Sequence, residues 1–199
     1  MSAVLAGIFE ANHQGLEPIK INAVIMREEN ENDVVPLAEF ARKYGFEMRF
    51  IEYMDVGNVN HWSRSKTVPK TEIIELIRTR FPLESVPTIS GPSVNYRYLD
   101  GIGKVGVIAS ITEPFCGNCT RARITADGKL VTCLFSSRGH DLKQLLRSGA
   151  SDLEIVERVR SIWRRRTDQY SENRLAAGQS NSLSRTISYP KLEMINLGG

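Results

Sequence analysis

The sequence predicts an α/β protein in two parts, a parallel βαβ unit near the start and an α+β part with antiparallel hairpins that carries all three cysteines. Three observations lead there. Two strand-like stretches, IKINAVIM (19–26) and EMRFIEYM (47–54), flank a segment of helical periodicity, and strand, helix, strand in that order requires a parallel crossover within one sheet. From Ser93 onward, short alternating stretches are separated by tight-turn signals, as antiparallel hairpins require. Cys116, Cys119 and Cys133 fall within 18 positions around the turn dipeptide Asp127-Gly128.

The elements follow in order. Ser2 can cap an opening helix whose Val4, Leu5, Ile8 and Phe9 recur at helical spacing, and Gly15 with Pro18 ends it. After the first strand, Asn30 or Asp33 caps a helix that turns Val34, Leu37, Phe40, Ala41 and Tyr44 inward and stops at Gly45. The second strand leads through a polar loop to a helix over 70–81. Pro82, Pro87, Gly91 and Pro92 then mark a change of character, which places a domain boundary after residue 81. VNYRYL, a turn at 100–103 and KVGVIASI form a hairpin ahead of the cysteines. DLKQLLRSGA follows, and then a helix from Asp152 with Ser151 and Glu154 as a capping box and Val156, Val159, Ile162 and Trp163 on one stripe. Residues 171–188 read as polar and irregular.

With 199 residues, 41% of them hydrophobic and 25% charged, the chain has the composition of a soluble globular protein. The early apolar stretch 4–9 is too short to span a bilayer and lacks a basic flank, so neither a membrane helix nor a signal peptide fits. A net charge of +3 tolerates an anionic ligand without indicating nucleic acid. Three clustered cysteines suit a shared metal in a reducing, cytoplasmic compartment better than a disulfide framework.

Within FCGNCTRARITADGKLVTCLF, Cys116 and Cys119 form a C-x-x-C and Cys133 returns across the turn. Three thiolates are one fewer than a closed tetrahedral zinc site or a fully ligated 4Fe-4S cluster needs, which leaves a metal position open. The hairpin register decides which side chains stand beside Cys133. A two-residue Asp127-Gly128 turn sets Cys133 opposite Ala122. A three-residue loop, 126–128, ending in a left-handed glycine sets it opposite Arg121, so that Arg121, Arg123 and Cys133 share one side. The second register is expected, and two arginines spaced in this way can grip phosphate or carboxylate with forked hydrogen bonds. Structural zinc with His140 as fourth ligand, and a merely solvated arginine face, remain open on spacing alone.

These residues resemble the C-terminal part of the molybdenum cofactor biosynthesis protein A family, the radical S-adenosylmethionine enzymes that act as GTP 3′,8-cyclases. The resemblance runs through PIKIN, MRFIEYMDVGN, the cysteine motif, LRSGASDLE and the terminal INLGG, and covers essentially the whole chain. It implies that residues 1–81 are the last strands and helices of an incomplete parallel (β/α) barrel and that 82–199 form the iron-sulfur, GTP-binding domain. It also implies that Cys116, Cys119 and Cys133 hold a 4Fe-4S cluster whose open iron binds the guanine of GTP. By the same carry-over Lys20, Arg121, Ala122 and Arg123 contact the nucleotide, Met54 lines the S-adenosylmethionine pocket and the Gly198-Gly199 tail enters the active site. No catalytic residue is assigned.

The chain departs from the family in lacking its C-x-x-x-C-x-x-C motif, which holds the first 4Fe-4S cluster and S-adenosylmethionine and initiates the radical. The chain therefore reads as a partial one, expected to be inactive by itself, and the second cluster and S-adenosylmethionine belong only to the complete protein. An unfilled barrel edge admits a homodimer, or a partner chain supplying the other half. Neither a membrane nor a nucleic acid is expected as a partner, and the location is cytoplasmic, or the mitochondrial matrix in a eukaryote. The competing readings are a zinc-stabilised nucleic-acid-binding module, the auxiliary-cluster domain of another radical enzyme, and an inactive remnant. Arg164, Arg165 and Arg166 are expected to remain solvated at a helix end, without a ligand.

Overall fold

Strand β2 (Glu47–Glu52) alternates half-buried and fully buried positions and sends Met48, Phe50 and Glu52 to the core face, as a period of two demands. It pairs in parallel with β1 (Lys20–Ile25), and the crossover between them is α2 (Val34–Tyr44), preceded by α1 (Ser2–His13). Helix α2 buries Val34, Ala38 and Ala41 and ends at Gly45, whose φ of 76° is the left-handed conformation that glycine adopts without strain. Tyr44, expected inward, is 42% exposed; it meets Phe9 of α1 edge-to-face at 4.9 Å between ring centroids. The structure, a computed structural model, describes residues 2–87, 91–179 and 190–193.

After α3 (Lys70–Arg78) come β3 (Leu83–Val86), β4 (Val94–Tyr98) and β5 (Lys104–Ile108), in one five-stranded sheet of order β1-β2-β5-β4-β3. Strands β3, β4 and β5 pair antiparallel in sequence, and β5 then lies parallel to β2, with Phe50 opposite Val107. The result is a mixed α/β sheet. The sequence predicts a boundary after residue 81, whereas the chain separates into one unit of Met1–Met54 with Ser63–Glu113 and another of Asp55–Trp62 with Pro114–Gly199. The reason is the β2–β5 ladder, which joins the antiparallel strands to the parallel pair. The short strand β3, between two prolines, was not foreseen.

Glu52 is fully buried at the end of β2, yet its carboxylate is satisfied: it accepts from the backbone N–H groups of Lys70, Ile111 and Thr112 at 2.8–2.9 Å and from the Thr112 hydroxyl at 2.5 Å. Four donors offset the desolvation of a buried charge. The group ties the start of α3 to the segment after β5.

The second unit contains a three-stranded antiparallel sheet, β6 (Arg123–Ile124), β7 (Lys129–Val131) and β8 (His140–Asp141). Helices α4 (Lys143–Arg147), α5 (Asp152–Arg164) and α6 (Tyr170–Gln179) follow. Ser151 and Glu154 form the expected capping box at α5. Of the expected stripe on α5, Ile162 is buried whereas Val156 is 42% exposed. The irregular segment expected at 171–188 is helical as far as Gln179. Among the described residues, no helix is long and apolar enough to cross a membrane.

Candidate metal centre

The cysteine hairpin takes the register that the three-residue loop requires: Arg123 pairs with Val131 and Ile124 with Leu130. The Thr125 N–H donates to the Lys129 carbonyl at 2.9 Å, and Gly128 closes the turn at φ 84°. Asp127 pins the loop by accepting from the Thr125 hydroxyl at 2.5 Å and pairing with Lys129 at 2.6 Å, and those two contacts lower its carboxyl to about 2.

All three cysteines are free thiols and half-buried, with Cys116 opening a single 3₁₀ turn, Cys116–Asn118, immediately before Cys119. Partial burial pushes the Cys119 thiol up, but hydrogen bonds from the Arg121 backbone and side chain, with the charges of Arg121 and Arg166, bring it below its ordinary value. Burial pushes the Cys133 thiol up; the Phe135 N–H at 3.5 Å opposes this, while the charges of Asp168, Cys116 and Cys119 add to it. The three thiols therefore lie within electrostatic reach of one another, with cations beside Cys119. Among the described residues, no three His, Cys, Asp or Glu side chains converge tightly enough to hold one metal ion.

The other expected site residues divide between the units. In the second unit Arg121 is exposed and its guanidinium lies over the Phe115 ring at 5.1 Å, Ala122 is exposed, and Arg123 is half-buried on β6. In the first, Lys20 is exposed at the start of β1 and Met54 is half-buried just after β2. Gly198 and Gly199 lie outside the described residues. Arg166, expected to remain solvated at a helix end, is held instead. Its guanidinium donates to the Cys119 carbonyl and stacks 3.7 Å from the Trp163 ring centroid.

Beside Cys133 stands an arrangement that has no local signal in the sequence. Phe135 stacks on Tyr170 of α6 at 4.5 Å and 16°, and Lys191 lies over both rings. Asp55, only 9% exposed, accepts from the Tyr170 hydroxyl at 2.7 Å, from Lys191 at 3.0 Å and from Arg174. Burial pushes the Asp55 carboxyl up, but Tyr170, Arg174 and Lys191 together hold it below its ordinary value. On α6, Glu172 accepts from the Gly117 N–H inside the C-x-x-C at 2.8 Å. The helix thus reaches both the cysteine turn and the Asp55 network.

A mixed α/β fold with three free thiols and basic side chains on one hairpin defines a class: an α/β protein with a thiolate-rich candidate metal centre. The chain belongs to the Molybdenum Cofactor Synthesis C family, whose sequence profile matches residues 46–172. It is 51% identical over 177 residues to a GTP 3′,8-cyclase of Acidothermus cellulolyticus, covering 86% of this chain and 49% of that protein. It is 45% identical to a GTP 3′,8-cyclase of a Synechococcus strain (97% of this chain, 54% of that protein) and 40% identical to one of Xanthomonas campestris (98% and 56%). The chain spans about half the length of the curated relatives it matches.

Proposed function

We propose that the chain is the GTP-binding C-terminal part of a GTP 3′,8-cyclase acting in molybdenum cofactor biosynthesis. The observation that carries this reading is the Cys116, Cys119 and Cys133 set of free, half-buried thiols, with the Arg121 charge helping to hold Cys119 below its ordinary value, in a chain 40–51% identical to proteins of that name. The donor chemistry fits a 4Fe-4S cluster, which distributes thiolates over separate irons and needs no convergence on one ion. A single zinc held with His140 needs that convergence. A cluster held by three thiolates would supply one open iron, a Lewis-acidic position for a donor atom of the guanine.

The residues of this chain would then do the binding. Arg121 and Arg123, on the cysteine hairpin, offer forked donors to the triphosphate, and the Ala122 backbone lies between them. Lys20 adds a cation from β1, and Met54 lines the S-adenosylmethionine pocket. Residues 1–81, with the parallel β1–β2 pair, would be the closing portion of an incomplete parallel barrel, and radical initiation, with S-adenosylmethionine and a second cluster, would require a region outside these 199 residues.

Anaerobic iron-sulfide reconstitution, followed by metal and sulfide analysis and visible spectra with and without GTP, tests the proposal. About four irons per chain and a GTP-dependent spectrum that Arg121→Ala with Arg123→Ala abolishes are expected. Stoichiometric zinc without iron, or a cluster indifferent to GTP, overturns it.

A further inference from the structure

Next to the cysteine hairpin, the second unit has an open cleft of about 400 Å³ whose lining includes Arg158, Arg165, Arg166, His140, Thr132 and Asp168. None of the three arginines forms an ion pair among the described residues, although one carboxylate, Asp168, lines the same cleft. Arg165 spends two donors on Ser161 and Arg166 one on the Cys119 carbonyl, which leaves donors of both forks uncommitted, and Arg158 on α5 is exposed with no partner among the described residues. Three guanidinium groups against one carboxylate leave an excess of two positive charges. Such a cleft attracts a multiply charged anion whose oxygens suit planar forks.

Asp168 narrows the choice. Its Oδ2 is buried and has no hydrogen-bond partner, an arrangement that costs free energy until a donor arrives. A fully deprotonated anion such as sulfate repels that oxygen and offers it nothing. A hydrogen phosphate satisfies both halves of the site, because its unprotonated oxygens accept from the arginines while its P–OH donates to Asp168.

We propose that this cleft is a hydrogen-phosphate site, with Arg158, Arg165 and Arg166 holding the charge and Asp168 selecting for the proton. The ligand is inorganic phosphate or the terminal phosphate of an esterified compound. The inference stands apart from the GTP reading, since it uses neither a cluster nor Arg121 and Arg123.

Calorimetric titration of the 199-residue chain with inorganic phosphate, glycerol 3-phosphate and sulfate, at one ionic strength and slightly acidic pH, tests it. The first two probes distinguish the free ion from an ester. A phosphate-bearing probe is expected to bind at least about tenfold tighter than sulfate, because a buried group left without its hydrogen bond discriminates strongly. Asp168→Asn should erase that ratio, and Arg158→Ala with Arg165→Ala should weaken phosphate binding about tenfold or more. Arg160→Ala, at an arginine paired with Glu157 and absent from the cleft lining, should leave it unchanged. Circular dichroism establishes that each variant is folded, and Arg158, being exposed, keeps the test decisive if Asp168→Asn does not fold. Sulfate binding as tight as phosphate, or phosphate affinity indifferent to the double arginine variant, overturns the proposal.

Discussion

Two of the three thiols are set in opposite directions by their surroundings. Cys119 has Arg121 and Arg166 beside it and is lowered, whereas Cys133 is buried near Asp168 and raised. Thiolate is the reactive form, so in the metal-free chain near neutral pH iodoacetamide should modify Cys119 before Cys133, and Arg121→Ala should slow Cys119 alone. Peptide mapping by mass spectrometry reads this, and faster labelling of Cys133 would contradict the assigned environments. Asp55 permits a second expectation. Its folded carboxyl lies below the unfolded value of about 3.9, so its stabilisation is fully present above that pH and is lost as the pH falls through the folded value. Asp55→Ala should cost about 3 kcal/mol or more at pH 7, because it strands Arg174 and Lys191 in a buried network. Urea unfolding should show the gap from wild type constant between pH 7 and 5 and narrowing only in stronger acid. At this scale the sequence revealed what was local: three cysteines around a turn glycine give the hairpin and its loop. Asp55 and Arg166 escaped because their partners stand 47 to 136 positions away, and no periodicity reports contacts at that separation.

Among the elements, those with strong local signals formed where expected. Helix α5 has its capping box, and Ser151→Ala should cost about 1 kcal/mol. Helix α6 was missed because its residues, YSENRLAAGQ, carry no apolar stripe; it is fixed instead through Tyr170, Glu172 and Arg174, a hydroxyl and two charges that bind other segments. Strand β3 was missed because it has only four residues and prolines at both ends, and those prolines read as punctuation. The β6–β7 hairpin concentrates its specification in one residue. Gly128 has φ 84°, and a Cβ there would stand 2.7 Å from the Lys143 side chain. Gly128→Ala should therefore destabilise the second unit by about 1–2 kcal/mol through strain and contact together. It should also lower iron retention after reconstitution, since the turn sets the register that returns Cys133. Unchanged urea stability with unchanged iron content would show that the turn does not hold the thiols.

At the scale of the whole molecule, the sequence showed a parallel part and an antiparallel part but not their division, because the β2–β5 pairing joins residues about sixty positions apart. The two units differ in what holds them. The first has a continuous core from Ile25 to Val107 that includes Met48, Phe50, Val105 and three isoleucines of α3 and β1 at 0% exposure. In the second, the buried hydrophobic side chains among the described residues are Leu130, Val131 and Ile162, and charged and aromatic contacts around Asp55 and the cysteine turn supply much of the rest. So small an apolar core provides little driving force. A metal centre on Cys116, Cys119 and Cys133 would link segments that this core holds weakly, and binding energy at such a site is folding energy. Removing the reconstituted metal by chelation should therefore loosen the second unit and spare the first. Hydrogen exchange followed by mass spectrometry should show protection falling across β6, β7 and α6 while β1, β2 and α2 keep theirs. Equal loss in both units would mean that the first depends on the metal as well, and no loss in either would mean that the thiols carry no structural metal at all.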